Sequence, residues 1–194
     1  MAETKSILLV GVGGQGTILA SKILSNGLVQ EGYDVKMSEI HGMSQRGGSV
    51  TTHVRYGDKV YSPVIGPGEA DVLVSFEEME TYRWLKYLKP GGKVVLNSFR
   101  VPSAPILTGQ ADYPEGLKEE IASKAETLVF DAAKIAAEIG APKSMNIVLL
   151  GALVEAMGLT DIDWKRLIAE NVKPAFYESN CIALERGMAA YRGE

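Results

Sequence analysis

One short stretch near the start restricts the fold more than any other. Ser6-Ile7-Leu8-Leu9-Val10 is an unbroken apolar run closed by Gly11-Val12-Gly13-Gly14-Gln15-Gly16, and a helical pattern from about Gln15 to Gln30 follows. Apolar residues without alternation fit a strand covered on both faces. Glycines at Gly11, Gly13 and Gly16 let the turn close tightly and let backbone N–H groups approach an oxygen anion, to which a helix N-terminus adds partial positive charge. The spacing alone does not choose among NAD, a flavin, another phosphate-bearing ligand and a plain strand–helix turn. A dinucleotide site also wants an acid roughly 20 residues beyond the last glycine. Position 36 is Lys36; the nearest acids are Asp34 and Glu39, of which Glu39 is better placed.

Alternation continues along the chain. Strands are expected at 35–40, 49–56, 71–75, 93–97 and 127–130, and helices from after Ser75 to Pro90, at 117–124, at 131–139, at 145–157, at 162–171 and from Pro174 to about Tyr191. In the first helix Ile18, Leu19, Ile23 and Leu24 form the inner stripe. Val50, Val54 and Tyr56 alternate with Thr51, His53 and Arg55, the pattern of a half-exposed strand. Gly57-Asp58-Lys59 reads as a turn into a short partner at Val60–Ser62, and Ile106-Leu107 as a short strand in a proline-rich loop. Glu77, Glu78 and Glu80 open the helix after Ser75, with Ser75 as its cap or at a ligand crevice, and Arg83, Lys86 and Lys89 close it, an order that complements the helix dipole. Such alternation predicts one α/β domain with a parallel or mixed sheet, helices on both faces and a helical C-terminal third. The apolar Met145–Met157 helix fits the core or a subunit contact, of which the core is favoured, and Cys181 reads as a buried structural thiol.

A second glycine-rich stretch carries the densest chemistry. Ser38-Glu39-Ile40-His41-Gly42-Met43-Ser44-Gln45-Arg46-Gly47-Gly48-Ser49 leaves the second expected strand, and seven of the 21 glycines lie in this stretch and the first turn together. If the second strand runs parallel to the first, the two stretches meet in one crevice at the carboxyl end of the sheet. Arg46 there could grip a phosphate or carboxylate in two-pronged fashion. His41 and His53 lie twelve residues apart with no cysteine near, which is not a zinc pattern. Ser44 and Ser49 near His41 come without a nucleophile elbow.

Composition narrows the function. Net charge is −4 over 194 residues, which disfavours a general nucleic-acid or anionic-membrane binder. No apolar run approaches the roughly 20 residues of a membrane span, and no targeting signal stands out, so a cytoplasmic protein is expected. One cysteine cannot bind an iron–sulfur cluster that needs four.

The two glycine-rich stretches together resemble the gamma-type subunits of 2-oxoacid:ferredoxin oxidoreductases, above all the small (beta) subunits of the indolepyruvate enzymes. Ala70-Asp71-Val72-Leu73-Val74-Ser75-Phe76-Glu77 and Asn146-Ile147-Val148-Leu149-Leu150-Gly151-Ala152-Leu153 agree with that likeness, which spans nearly the whole chain. It implies a three-layer Rossmann-like domain over 1–194 packed on a larger subunit that carries thiamine diphosphate, magnesium and iron–sulfur clusters. The complex would oxidatively decarboxylate a 2-oxoacid, pass electrons to ferredoxin and leave the acyl group on coenzyme A. By the same likeness Gly11, Gly13, Gly14, Gln15, Gly16, Glu39, His41, Gln45, Arg46, Gly47 and Gly48 become partner-interface or coenzyme A contacts, with no catalytic residue, metal or NAD in this chain. The rival expectation is a stand-alone dinucleotide-binding or sensing module.

Overall fold

The computed structural model describes residues 3–42 and 47–194. Six strands form one mixed sheet: β1 (Lys5–Val12), β2 (Asp34–His41), β3 (Ser49–Gly57), β4 (Ala70–Ser75), β5 (Leu88–Asn97) and β6 (Glu126–Phe130), in the order β2-β3-β1-β4-β5-β6. The pairs β1–β4, β4–β5 and β5–β6 are parallel, while β3 runs antiparallel to both β1 and β2. Helices α1 (Thr17–Gln30), α5 (Ala132–Glu138), α6 (Met145–Met157), α7 (Trp164–Asn171) and α8 (Tyr177–Arg192) cover one face. Helices α2 (Glu78–Trp84) and α4 (Leu117–Lys124) cover the other, and α3 (Ala104–Leu107) is a single turn.

The apolar run of β1 serves both layers. Ile7 and Leu9 join the core under α1 and α6, whereas Leu8 and Val10 join the core under α2 and α4. Each such side chain contributes about 1.5–3 kcal/mol by leaving water. Helix α6 is buried from Asn146 to Val154 and lies directly on α8. A Cβ built on Gly187 would sit 1.9 Å from the Val148 carbonyl oxygen, and one on Gly151 would sit 2.1 Å from that of Leu184. The two helices therefore meet backbone to backbone at paired glycines. Cys181 is buried in α8, as expected.

Several local expectations are corrected. Strand β3 is buried along most of its length rather than half-exposed. It is an inner strand, and the segment after it folds back so that Ile65 N–H donates to His53 Nδ1 at 3.1 Å and Arg55 donates to the Val64 carbonyl. Alternation there separates two buried faces. Val60–Ser62 forms no strand, because the Asp34 carboxylate takes the Val60 N–H at 2.9 Å. Helix α2 stops at Trp84, passes through a 3₁₀ turn at Leu85–Tyr87, and leaves Pro90-Gly91-Gly92 to the irregular start of β5. Pro105 suits a helix start, so Ile106-Leu107 falls in the turn α3 and not in a strand. In α1, Ile18 is 60% exposed, and the buried seam is Thr17, Ala20, Ser21, Leu24, Gly27 and Leu28 with Ile23. Small residues line that seam because Trp164 of α7 presses on Gly27, where a Cβ would come within 2.9 Å.

Candidate functional site

The turn after β1 is built by two glycines with positive φ, Gly14 at +98° and Gly16 at +80°, a region unfavourable to residues with a Cβ. Gly11 has another reason: a Cβ there would lie 2.6 Å from Gln15 Oε1 and 2.8 Å from Phe76 Cβ. Gln15 is the clasp. Its Oε1 accepts from the Val12 N–H at 2.8 Å and its Nε2 donates to the Phe76 carbonyl at 2.9 Å. The Phe76 carbonyl also accepts from Asn97 Nδ2, and Asn97 Oδ1 accepts from the Ala132 N–H. One chain of bonds thus ties together the carboxyl ends of β1, β4 and β5 and the start of α5. From the helical layer, Asn146 Nδ2 donates to the Gly16 carbonyl at 3.0 Å. Gln15 is committed to this scaffold through both ends of its amide.

The second glycine-rich stretch sits beside the turn. Strand β2 runs in the same direction as β1, separated from it by β3, so the stretch returns at the same end of the sheet. Gly13 N–H donates to the Gly48 carbonyl at 2.9 Å, Gly47 N–H donates to the Gly13 carbonyl at 3.5 Å, and Gly42 N–H donates to the Ser49 carbonyl at 3.2 Å. Ser49 Oγ in turn donates to Glu80, a carboxylate 2% exposed at the start of α2. Gln45 and Arg46, with Met43 and Ser44, lie outside the described residues. A cleft of about 430 Å³ opens between the two stretches, lined by Gly13, Gly14, Gly16, Thr17, Ile18, Glu39, His41 and Val50.

The cleft is donor-rich at its floor. Among the described residues, the Gly14 and Gly16 N–H groups have no acceptor, and the first turn of α1 carries no acid. Backbone donors and a helix N-terminus together favour an anion or a carbonyl. Glu39 stands on the opposite wall and accepts a long 3.5 Å bond from Thr52. With β3 inserted between β1 and β2, Glu39 is two strands from the glycine turn, roughly 9–10 Å across the sheet. That is one strand farther than the acid of a dinucleotide fold, whose second strand adjoins the first.

The other candidates separate. His41 lines the cleft, whereas His53 is buried beneath the segment after β3, and burial lowers its pKa so that it stays neutral. The two histidines do not converge. Ser75 does not cap α2: the cap is Glu77, whose Oε2 accepts from the Glu80 N–H, while Ser75 Oγ bonds the Glu77 backbone and Thr81. Glu77 Oε1 accepts from the Tyr113 hydroxyl and the Val101 N–H, and Glu78 accepts from Arg100. Burial first, and then the Glu77 carboxylate, push the Tyr113 phenol upward, so it remains a donor. These buried acids, each partnered, brace the β4–α2 corner that presents the Phe76 carbonyl to Gln15. Asn97 and Asn146 carry no local spacing signal, since their partners lie 21 and 130 residues away.

Comparison with known proteins places this geometry in a family. The description "Pyruvate ferredoxin/flavodoxin oxidoreductase" matches residues 6–190. Indolepyruvate oxidoreductase subunit IorB of Pyrococcus horikoshii is 39% identical over 191 residues, covering 95% of each chain. The pyruvate/ketoisovalerate oxidoreductases common subunit gamma of Thermococcus kodakarensis is 30% identical over 183 residues, covering 90% of each. Among solved structures, a keto/oxoacid ferredoxin oxidoreductase gamma subunit from Geobacter sulfurreducens superposes with a TM-score of 0.73 at 23% identity, over 98% of this chain and 99% of that one. A 2-oxoglutarate:ferredoxin oxidoreductase chain from Magnetococcus marinus superposes with a TM-score of 0.77 at 21% identity, over 99% of this chain but 32% of that longer one. The same three-layer fold therefore occurs both as a separate subunit and as a part of a larger chain. On this sequence match and this shared architecture, the chain belongs to the pyruvate ferredoxin/flavodoxin oxidoreductase family.

Proposed function

We propose that this chain is the subunit of a 2-oxoacid:ferredoxin oxidoreductase that carries no redox cofactor of its own, with an arylpyruvate such as indolepyruvate as the substrate class. The observation that carries the reading is the 430 Å³ cleft, where a pinned glycine turn, whose Gly14 and Gly16 N–H groups have no acceptor among the described residues, faces Glu39 and His41. Identity of 39% to an indolepyruvate oxidoreductase subunit supports the substrate class. A single buried cysteine does not fit an iron–sulfur cluster, so the clusters, with thiamine diphosphate and magnesium, belong to a larger partner chain that also hands electrons to ferredoxin. Thiamine diphosphate held there would supply the electron sink that decarboxylation of a 2-oxoacid needs. The residues of this chain do the positioning: the Gly14 and Gly16 N–H groups hold an anionic or carbonyl group of coenzyme A or of the partner, and Glu39 and His41 close the wall. The domain acts as one unit over 1–194, in the cytoplasm.

Co-expression of the tagged full chain with its host's proteins tests this. Recovery of a larger chain with thiamine diphosphate and the optical absorption of iron–sulfur clusters is expected. Micromolar binding of NAD by the chain alone, with no such partner recovered, would support the stand-alone module instead.

A further inference from the structure

The two lips of the glycine cleft are fastened to one place outside it, the corner from β4 into α2. Phe76 holds the first lip: its carbonyl accepts from Gln15 Nε2 at 2.9 Å, and its N–H donates to the Val10 carbonyl at 2.8 Å. Glu80, in the first turn of α2, holds the second lip by accepting from the Ser49 hydroxyl. Neither Phe76 nor Glu80 is among the residues that line the cleft. Ser49 is the node of the second stretch. Its carbonyl closes the neck by accepting from the Gly42 N–H at 3.2 Å, and the Gly48 carbonyl before it accepts from the Gly13 N–H at 2.9 Å. Val50 after it lines the cleft and pairs with His41, which lines it too. Glu80 is fixed from its other side. Its N–H donates to Glu77 Oε2 at 2.9 Å, and its Oε1 takes Arg83 Nη1 at 2.9 Å. The corner beneath it is held in turn by Tyr113, whose hydroxyl donates to Glu77 and accepts from the Met79 N–H at 3.1 Å. The start of α2 is already capped by Glu77, so what the Glu80 side chain adds is its pair of bonds to Ser49 and Arg83. Burying an acid is costly unless its oxygens are used, and both of these are.

We propose that Glu80 is a positioning residue of the cleft: acting through Ser49, it fixes the second glycine-rich stretch against the first, so that α2, on the other face of the sheet, sets the width between them. A hydrogen bond to a carboxylate is stronger than one between neutral groups, which suits a tie that must hold a glycine-rich segment in one place. That this width matters to turnover rests on the reading of the cleft given above.

The test combines amide chemical shifts of the isotope-labelled full chain with steady-state kinetics of the reconstituted complex, for Ser49→Ala, Glu80→Ala, the two together, and Glu80→Gln. Both single alanine variants should move the amide signals of Gly13, Gly14, Gly16, Gly47 and Gly48. In the complex each should raise KM for coenzyme A about fivefold or more while kcat stays within about twofold. The double variant should be no worse than either single one, because the two residues act as one unit. Glu80→Gln keeps an oxygen for the Ser49 hydroxyl and should restore most of the loss. Unmoved glycine amides in both single variants would overturn the proposal. So would losses that add in the double variant, or an unchanged KM in complexes that Gly14→Ala does slow. Amides that move, with kinetics that neither these variants nor Gly14→Ala alters, would support the positioning by Glu80 and overturn the reading of the cleft instead.

Discussion

Glycine does opposite work in two regions of this molecule. Around Gly14 and Gly16 it gives the backbone a conformation that L side chains resist, and among the described residues no atom lies within 4 Å of a Cβ built on Gly14. Where α6 crosses α8, Gly151 and Gly187 have ordinary helical backbone, and the space beside them is filled by carbonyl oxygens of the facing helix. The first arrangement leaves room for something outside the chain, and the second leaves room only for the chain itself. Counting glycines does not separate these roles; asking what a Cβ would meet does.

The largest expected effect breaks the helix contact. Gly187→Ala must push apart two helices that touch through backbone, so it should cost about 3 kcal/mol. In a chain this long that lowers the melting temperature by about 6–12 °C in a calorimetric or circular-dichroism scan. Next comes the clasp. Gln15→Leu strips the Val12 N–H and the Phe76 carbonyl of a partner at once, and about 2 kcal/mol of stability should be lost in denaturant unfolding.

A pH series addresses the opposite face of the sheet. Burial holds the His53 pKa below its ordinary value near 6.5, so the unfolded chain takes up the proton first as pH falls. The stability that neutral His53 allows is fully present above that ordinary value. It declines by up to about 1.4 kcal/mol per pH unit as pH drops toward the lower folded value. His53→Gln should flatten that part of the stability–pH curve; an unchanged slope would place the proton uptake elsewhere. The smallest change in stability is expected at the turn itself. Gly14→Ala meets no atom of the described residues within 4 Å and pays the left-handed backbone penalty, about 1 kcal/mol, read as a small shift in denaturation midpoint.

Much of the sheet was legible from pattern. The unbroken run of β1, the limits of α4 and α6, and the meeting of the two glycine-rich stretches follow from apolar periodicity and from the rule that ligands gather at carboxyl strand ends. Less was legible where a residue's environment is set by distant chain. The polar face of β3 resembles a solvent face until the segment through Ile65 folds over it. Val60 loses its strand to a carboxylate 26 residues earlier, and α2 is shortened because the chain must turn into β5. At the site, the glycines and Glu39 could be found by spacing, whereas Asn97 and Asn146 could not, since an asparagine that bonds one remote carbonyl leaves no periodic trace.

The central claim is that the open glycine turn serves the assembled enzyme rather than the fold. Its most direct test is 2-oxoacid-dependent reduction of ferredoxin by the reconstituted complex carrying Gly14→Ala, with coenzyme A varied. The subunit should still fold and join its partner, and kcat/KM for coenzyme A should fall about tenfold or more, in line with the loss of one positioned contact. Full turnover with an unchanged coenzyme A dependence in that complex would contradict the claim.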